Sequence, residues 1–300
     1  MARNVPEQTL INELKRKIMN KFVLFVIICS VLLTNACTEE ENLGEIEAPF
    51  PVYTLPQGKS PADNRIVELY EKYGSYFLYE FSRRDFIWTY VANSTIPPYQ
   101  GTPADPAYVG PFLDFLDDVW FKFYPDDFLK KHLPYKVFLV DTLKQVLTTS
   151  TTYRYTRIAA NQLALSYCSD TIVKMSKETK LAYKIWLQRQ LWGDSYVDAL
   201  EFPEAFYAGT VYTRVTNTTI SSPDYFMARG FFQNISSLTS MTRRWDTYYF
   251  FWNVMSGTYE SISANLEAYP LLKQKYNIMR DHLIQHYGVD IREITDAVYN

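Results

Sequence analysis

Few side chains in this chain of 300 residues could bind a metal or act as a nucleophile. Histidines stand at positions 132, 282 and 286, and cysteines at positions 29, 37 and 168. In the segment HLIQH, a helix would place His282 and His286 on one face, as in the zinc motif His-Glu-x-x-His. Leu283 replaces the catalytic glutamate of that motif, and neither Asp281 nor Asp290 is an evident third ligand. The pattern favours an ordinary amphipathic helix, with a metal site at His282 and His286 as the alternative.

Cys37 follows an apolar run near the start of the chain. The run KFVLFVIICSVLLT comes after the basic segment NELKRKIMNK and leads through small and polar residues to the cysteine. It is shorter than the roughly 20 residues of a membrane-spanning helix, and its layout is that of a secretory signal peptide. Because it ends on a cysteine, it resembles a bacterial lipoprotein signal peptide, in which the thiol is lipidated and the chain is cleaved before it. The alternatives are an uncleaved anchor and a plain secretory signal.

Lipidation of Cys37 would determine where the protein resides. The acidic segment TEEEN after it resembles the signal that exports lipoproteins to the outer face of the outer membrane in some Gram-negative bacteria, although a solvated linker has the same composition. We expect an outer-membrane protein, lipid-anchored and exposed on the extracellular face. Met19 is the expected start of translation, because MNKFVLFVIICSVLL is a complete signal alone. Cys168 then lacks a disulfide partner, and we interpret it as a small buried hydrophobic residue.

The composition indicates a globular domain that does not bind nucleic acid. The formal net charge is −3 at pH 7, and it becomes −6 without residues 1–36, which hold five basic and two acidic residues. No basic tract is present, so nucleic acid is not an expected partner. Aromatic residues make up 17% of the chain, including 25 tyrosines and 6 tryptophans. We interpret them mainly as core residues, with a sugar-stacking surface as the alternative.

Three regions are expected: a signal peptide over 1–36, an acidic and Pro-rich tether over 37–61, and a single domain over 62–300. Strands are predicted over 82–91, over 135–143 and twice within 151–168, and loops over 93–110 and 203–212. Helices are predicted from Asp63 as N-cap, and over 111–124, 124–134, 177–192 (with Gly193 as C-cap), 223–238, 241–266, 270–287 and 291–298. Because the strands come early and the helices late, the order indicates an α+β fold.

Three segments carry a resemblance to a known family: YGSYFLYEFSRRDFIW, DDVWFKFYPDDFLKKHLPYKVFLVD and YNIMRDHLIQHYGVDIREITDAV. Their order and spacing over most of residues 62–300 resemble lipoproteins assigned as zinc-binding metallopeptidases of the zincin type. Such proteins are encoded beside TonB-dependent outer-membrane transporters and their substrate-binding lipoproteins. The resemblance therefore implies a zincin-like domain, and it implies a TonB-dependent transporter and its substrate-binding lipoprotein as partners.

The catalytic residues of that family are not matched in this chain. Its His-Glu-x-x-His helix aligns with WLQRQLW, so Trp186 replaces the first histidine, Leu187 the glutamate and Gln190 the second histidine. Its downstream acidic motif aligns with SPDYFMARGFF, in which Asp224 remains acidic. Tryptophan cannot ligate zinc, an amide is a poor ligand, and leucine cannot act as a base. No histidine lies between positions 133 and 281, so we expect no catalytic residue and no cofactor at these degenerate positions.

The favoured hypothesis for function is a catalytically degenerate, metallopeptidase-like lipoprotein. It would be accessory to a TonB-dependent uptake system and would bind or scaffold a peptide or glycan. One alternative is an active metallohydrolase with an unconventional site, and another is a glycan-binding surface lipoprotein of unrelated fold. The sequence contains no Gly-rich phosphate loop and no Gly-x-Ser-x-Gly nucleophile elbow. The acid pairs Asp117-Asp118 and Asp126-Asp127 could serve a glycosidase only if folding brought two carboxylates to about 5–9.5 Å, and we interpret them as solvated surface residues.

Overall fold

The computed structural model of the chain describes residues 16, 19, 53–87, 99–147, 149–159, 161–212, 223–232 and 241–299. One compact unit runs from Tyr53 to Asn300. The predicted lipidation site Cys37 and nearly all of the predicted signal peptide lie outside the described residues. Within those residues, none of the helices is both long and apolar enough to cross a bilayer.

The domain begins at Tyr53, earlier than the predicted boundary at residue 62. Residues of the predicted tether pack against it through Gln57, whose Oε1 accepts hydrogen bonds from the backbone N–H of Tyr79 at 2.9 Å and of Glu80 at 3.2 Å. The Tyr79 hydroxyl in turn accepts a bond from the backbone N–H of Lys59 at 2.9 Å. A Pro-rich segment without hydrophobic periodicity gives no sequence signal for such contacts.

The described strands form one six-stranded sheet. They are β1 (Tyr76–Leu78), β2 (Tyr99–Pro103), β3 (Lys136–Val146), β4 (Thr151–Tyr153), β5 (Thr156–Ala159) and β6 (Gln162–Leu165). β3 pairs in parallel with β1 and β6, and β5 runs antiparallel to β6 at one end of the order β1-β3-β6-β5. β2 and β4 pair antiparallel with the later residues of β3.

The two faces of the sheet contribute to two different cores because side chains alternate along β3. Val137 and Leu139 belong to the main core, whereas Phe138 and Val140 belong to a smaller core on the other face. All four are fully buried. The strand predicted over 135–143 is confirmed as β3. It could be predicted because a strand covered on both faces has a near-continuous apolar sequence.

The helices pack mainly against the main core. They are α1 (Asp63–Tyr73), α2 (Arg83–Ile87), α3 (Val109–Val119), α4 (Asp126–His132), α5 (Lys177–Gln190), α6 (Val197–Ala199), α7 (Glu204–Tyr207), α8 (Pro223–Met227), α9 (Arg243–Val254), α10 (Tyr259–Ala268), α11 (Pro270–Tyr287) and α12 (Ile291–Asp296). Helices and a mixed sheet in one compact unit make this an α+β fold, as predicted.

Several predicted elements are wrong in detail. Residues 83–87 form helix α2 instead of a strand, strand β2 lies in the predicted loop over 93–110, and helix α7 lies in the predicted loop over 203–212. The helix predicted over 241–266 is broken into α9 and α10 around Gly257. Asp63 does not cap α1, because its carboxylate accepts hydrogen bonds from the backbone N–H groups of Gly58 and Ser60. Of these errors, strand β2 is the one that depends on a contact distant in sequence, because it forms by pairing with β3.

Candidate functional site

Helix α5 carries three of the four degenerate motif positions. It starts after Ser176, whose hydroxyl accepts a hydrogen bond from the backbone N–H of Thr179 at 3.2 Å and caps the helix. Trp186 and Gln190 lie one turn apart, and Leu187 is fully buried in the main core. The position that aligns with the catalytic glutamate is therefore used for packing.

Gln190 joins α5 to the edge of the sheet. Its side chain is buried, and its Oε1 accepts a hydrogen bond from the hydroxyl of Thr156 at 2.6 Å. Thr156 is the first residue of β5, the strand at one end of the sheet order. The amide oxygen of Gln190 is thus engaged inside the protein and is not presented to a ligand.

Trp186 lies in a group of aromatic and basic side chains between α5 and α9. We call this group the Arg189 cluster: Trp186, Arg189, Tyr248 and Trp252. The guanidinium carbon of Arg189 lies 3.6 Å from the ring centroid of Trp252 and 5.8 Å from that of Trp186. Tyr248 stacks on Trp252, with 5.6 Å between ring centroids and 16° between ring planes. These contacts hold Arg189 in place without neutralising its charge.

Arg189 has no acidic partner in the described part of the chain. Its guanidinium makes no ion pair or hydrogen bond with any described residue, and its Nε is buried without a hydrogen-bond partner there. Burial removes part of the hydration of the guanidinium and thereby lowers the pKa of Arg189. No bound carboxylate compensates for this loss among the described residues. Buried polar groups in native proteins are nearly always paired, so this arginine is suited to bind a ligand.

A π-helical turn, Leu191–Tyr196, continues α5. Such insertions are frequent at functional sites. Gly193, predicted as the C-cap of the helix, lies inside this turn, and a Cβ there would stand 3.1 Å from Cε2 of Tyr248. Trp192 is fully buried, and its indole N–H donates to the hydroxyl of Tyr124 at 3.0 Å. Trp192 is thus a core residue, while the missing side chain at Gly193 lets Tyr248 pack closely against the turn.

Asp194, in the same turn, is a second charged group without a bound partner among the described residues. Its side chain reaches solvent, yet desolvation by the surrounding protein raises its pKa against the effect of nearby arginines. Burial, and then the charge of Asp194, raises the pKa of Tyr248, while Arg189 and Arg244 oppose that shift. Arg244 is held by Asp198 through two hydrogen bonds of 2.6 Å. The carboxylate of Asp194 and the guanidinium of Arg189, both without a bound partner among the described residues, therefore shift the pKa of Tyr248 in opposite directions.

The histidine pair predicted on one helix face is on α11. The ring centroids of His282 and His286 are 4.4 Å apart, and Nε2 of His282 lies 2.9 Å from the carbonyl oxygen of Glu201. Asp290 binds Arg280 at 2.8 and 2.5 Å through its two oxygens. Within the described ranges, no three His, Cys, Asp or Glu side chains come together as a metal site would require. The pair by itself supplies two of the three protein ligands of a catalytic zinc.

The remaining predicted residues are placed as follows. Asp224 lies in α8, and Cys37 lies outside the described residues. Cys168 is fully buried and has no disulfide, and burial raises the pKa of its thiol. The thiolate is the nucleophilic form of cysteine, so this buried thiol is not a nucleophile at neutral pH.

Sequence reasoning missed Arg189, Asp194 and the exposure of the tryptophans near them. Trp245, interpreted as a core residue, is 40% exposed. A signal was present in RRWDTYYFFWNV, where Trp245, Tyr248 and Trp252 recur at the spacing of one helix face. A second signal was the i, i+3 spacing of Trp186 and Arg189, which places both side chains on one face of α5.

Comparison with known proteins gives little further information. No protein-family model matches the chain, and no curated protein matches it. Among solved structures, it is similar to the crystal structure of a "putative zinc-binding metallo-peptidase" from Bacteroides caccae. The identity is 10%, the match covers 78% of this chain and 88% of the other, and the TM-score is 0.43. A likeness at this level does not define the family of this chain.

Proposed function

We propose that the protein is a lipid-anchored, surface-exposed accessory of a TonB-dependent uptake system that binds a peptide or glycan and does not cleave it. The observation that best supports binding is Arg189, a half-buried guanidinium stacked on Trp252 with no acid bound to it among the described residues. Binding sites in proteins combine apolar walls with a few well-placed polar groups. The Arg189 cluster has this composition.

The lack of cleavage is proposed from what now occupies the degenerate motif positions. Leu187 is buried in the core, Gln190 is bound to Thr156, and Trp186 packs beside Arg189. None of the three can deprotonate a water molecule, and general base catalysis requires such a group within hydrogen-bond reach of the proton it removes. A pseudoenzyme that retains a ligand site is the function that fits these side chains.

The membrane anchor and the partner are proposed from the sequence. The apolar run before Cys37 supports lipidation, and several acyl chains anchor a protein stably without a transmembrane helix. The transporter and its substrate-binding lipoprotein are proposed as partners because of the family resemblance.

Co-purification tests this proposal. The full-length protein would be tagged, extracted from native envelopes in mild detergent and affinity-purified. We expect a TonB-dependent transporter to co-purify in near-stoichiometric amount, and we expect Cys37→Ser to abolish both membrane retention and co-purification. A wild-type protein that is recovered from the soluble fraction without any transporter would contradict the proposal.

The metallohydrolase alternative makes a different prediction about metal content. We expect the full-length protein, purified without chelator, to contain far less than one zinc per chain and to leave peptides uncleaved. One zinc per chain, together with peptide cleavage that is lost in His282→Ala and His286→Ala, would show that the histidine pair forms an active site after all. Elemental analysis and a peptidase assay on the same preparation provide both measurements.

A further inference from the structure

One side of α9, next to α5 and the π-helical turn, carries a row of partly exposed aromatic rings. Trp245, Tyr248 and Trp252 stand at i, i+3 and i+7, so they lie on one side of the helix, while Phe250 and Val254 on the other side are buried in the main core. The Trp245 and Tyr248 ring centroids are 5.2 Å apart and the ring planes are at 80°, so the two rings meet edge to face and their flat faces point in different directions. Seven residues of helix advance about 10 Å, which is comparable with the length of two linked sugar rings.

Arg189 supplies a cation at the Trp252 end of this row. The two arginines at the start of α9 are bound by acids: Arg243 by Glu204 and Arg244 by Asp198. Arg189 has no such partner among the described residues, and Trp252 covers one face of its guanidinium at 3.6 Å. A guanidinium presents its donors in a planar fork that matches a carboxylate. The group is therefore oriented and charged, and because its Nε is buried, an anionic ligand would bind at its two Nη atoms.

Asp194 supplies acceptors beside the same row. It follows Gly193, the residue of the π-helical turn that packs against the Tyr248 ring, and no described residue donates a hydrogen bond to its carboxylate. A free carboxylate would repel an anion placed directly on it, but it accepts hydrogen bonds well from hydroxyl groups. The ligand that suits both charges carries one carboxylate near Arg189 and hydroxyls near Asp194.

We propose that the Arg189 cluster is a subsite for an acidic glycan. Arg189 binds the carboxylate of a uronic acid residue, Tyr248 and Trp245 contact the apolar faces of the sugar rings, and Asp194 accepts hydrogen bonds from their hydroxyls. This assignment rests on the proposed function, since it names the ligand class of that same site.

A glycan fits these side chains better than a peptide does. Sugar rings combine apolar faces with many hydroxyls, which matches flat aromatic rings next to a free carboxylate. An extended peptide is usually recognised through main-chain hydrogen bonds along a strand edge or through pockets for alternate side chains. The row lies on a helix, and its polar groups are side chains.

Calorimetry on the full-length protein in detergent tests the proposal. The probes are short oligomers of galacturonate, glucuronate and mannuronate, each compared with the same oligomer after reduction of its carboxyl groups to alcohols. We expect at least one acidic oligomer to bind about 10-fold more tightly than its reduced counterpart, as expected for one charge-assisted bidentate contact. Equal affinity for every acidic and reduced pair would overturn the proposal.

Substitutions distinguish the contribution of Arg189 to binding from general effects on affinity or folding. Arg189→Gln is expected to weaken binding of the acidic oligomer about 10-fold and to leave the reduced one unchanged, whereas Arg189→Lys, which keeps the charge but not the fork, should fall between. Arg243→Gln on α9 removes an exposed arginine outside the row and should change neither affinity. Trp245→Ala should weaken both ligands. Thermal melting of each variant establishes that it is folded.

The outcomes distinguish this proposal from the function on which it rests. If the reduced oligomers bind as tightly as the acidic ones, the protein is a glycan binder but Arg189 does not select a carboxylate. If an acidic peptide of equal charge binds and no oligosaccharide does, the ligand class assigned here is wrong while a peptide-binding function stands. If neither class binds and no transporter co-purifies, both proposals fail.

Discussion

Two lysines of the described residues are buried, Lys184 and Lys275, and their ammonium groups are satisfied in different ways. Lys275 binds both carboxylate oxygens of Asp246, at 2.6 and 2.5 Å. Lys184 has no acid bound to it among the described residues: its Nζ donates to the backbone carbonyls of Ile294 at 2.7 Å, Thr295 at 3.3 Å and Ala297 at 2.5 Å. Carbonyl dipoles satisfy the three donors of Lys184 but do not neutralise its charge, so its protonation is sensitive to burial.

Lys184 should make stability depend on pH in the alkaline range. Burial lowers the pKa of Lys184 from 10.5 to about 8. Above pH 8 and up to the unfolded pKa, the unfolded chain therefore binds more protons at this side chain than the folded protein does, and the contribution of Lys184 to the free energy of unfolding rises with pH. Below pH 8 both states are protonated, and the contribution is constant.

The measurement is urea denaturation of the wild type and of Lys184→Met between pH 7.5 and 10. The stability of the wild type relative to the variant should be flat up to about pH 8 and should then increase, by on the order of 3 kcal/mol if the whole shift is expressed. Taking the difference removes the effect of tyrosines that titrate in both proteins. A difference that stays constant over the whole range would mean that Lys184 keeps its ordinary pKa.

At the scale of elements, Gly101 decides how β2 fits against β3. The register between these strands shifts between Gly101 and Pro103. A Cβ on Gly101 would stand 2.7 Å from Cζ of Phe86 and 3.1 Å from Cγ1 of Val140, and both of those side chains are buried. The strand can therefore lie over the smaller core only without a side chain at this position.

Gly101→Ala is expected to destabilise the domain by about 1–3 kcal/mol, the usual cost of overpacking a buried site. Gly110→Ala is the matched control, because its added Cβ would meet the nearest atom, Cβ of Ala62, at an ordinary 3.6 Å and would favour helix α3. Urea denaturation of both variants tests this. If Gly101→Ala is as stable as the control, Phe86 can move aside and the close contact does not constrain β2.

Elements were predictable where one segment determined its own structure. Strand β3 and helices α3, α4 and α5 follow from apolar runs and periodicity in contiguous residues. Strand β2 could not be predicted, because its Gly- and Pro-rich sequence has little strand preference and it forms by pairing with β3. The π-helical turn at Gly193 was missed for a related reason: its shape depends on Tyr248, which is distant in sequence.

The candidate site was predictable only in part. The sequence located Trp186 and Gln190 on a helix, but it could not show that Gln190 turns inward to Thr156. Arg189 became a candidate binding residue only in the tertiary structure, where Trp252 stacks on it and no acid of the described residues binds it. No local sequence pattern can indicate that an arginine will lack an acidic partner in the folded protein.

At the scale of the whole molecule, the early start of the domain has a measurable effect. A chain that begins at Tyr53 retains Gln57 and Lys59, whereas one that begins at Ala62 loses their hydrogen bonds to Tyr79 and Glu80. We expect the first chain to melt at the temperature of the full-length protein. The second should be less stable by about 2–4 kcal/mol, since several buried hydrogen-bonding groups lose their partners.

Scanning calorimetry on the two truncated chains makes this comparison. Gln57→Ala in the full-length protein supports it, because that change removes three of the bonds without shortening the chain. Equal melting temperatures for all three proteins would place residues 53–61 outside the cooperative unit and would restore the predicted boundary at residue 62.

The bonds of Lys184 also set an order of events during synthesis. Lys184 leaves the ribosome 110 residues before Ile294, the first of its carbonyl acceptors. Until that later stretch emerges, the face of α5 that it covers stays open on the nascent polypeptide, and the ammonium group stays hydrated. Translation must therefore deliver residues 294–297 before the ammonium group of Lys184 can lose its hydration and be buried.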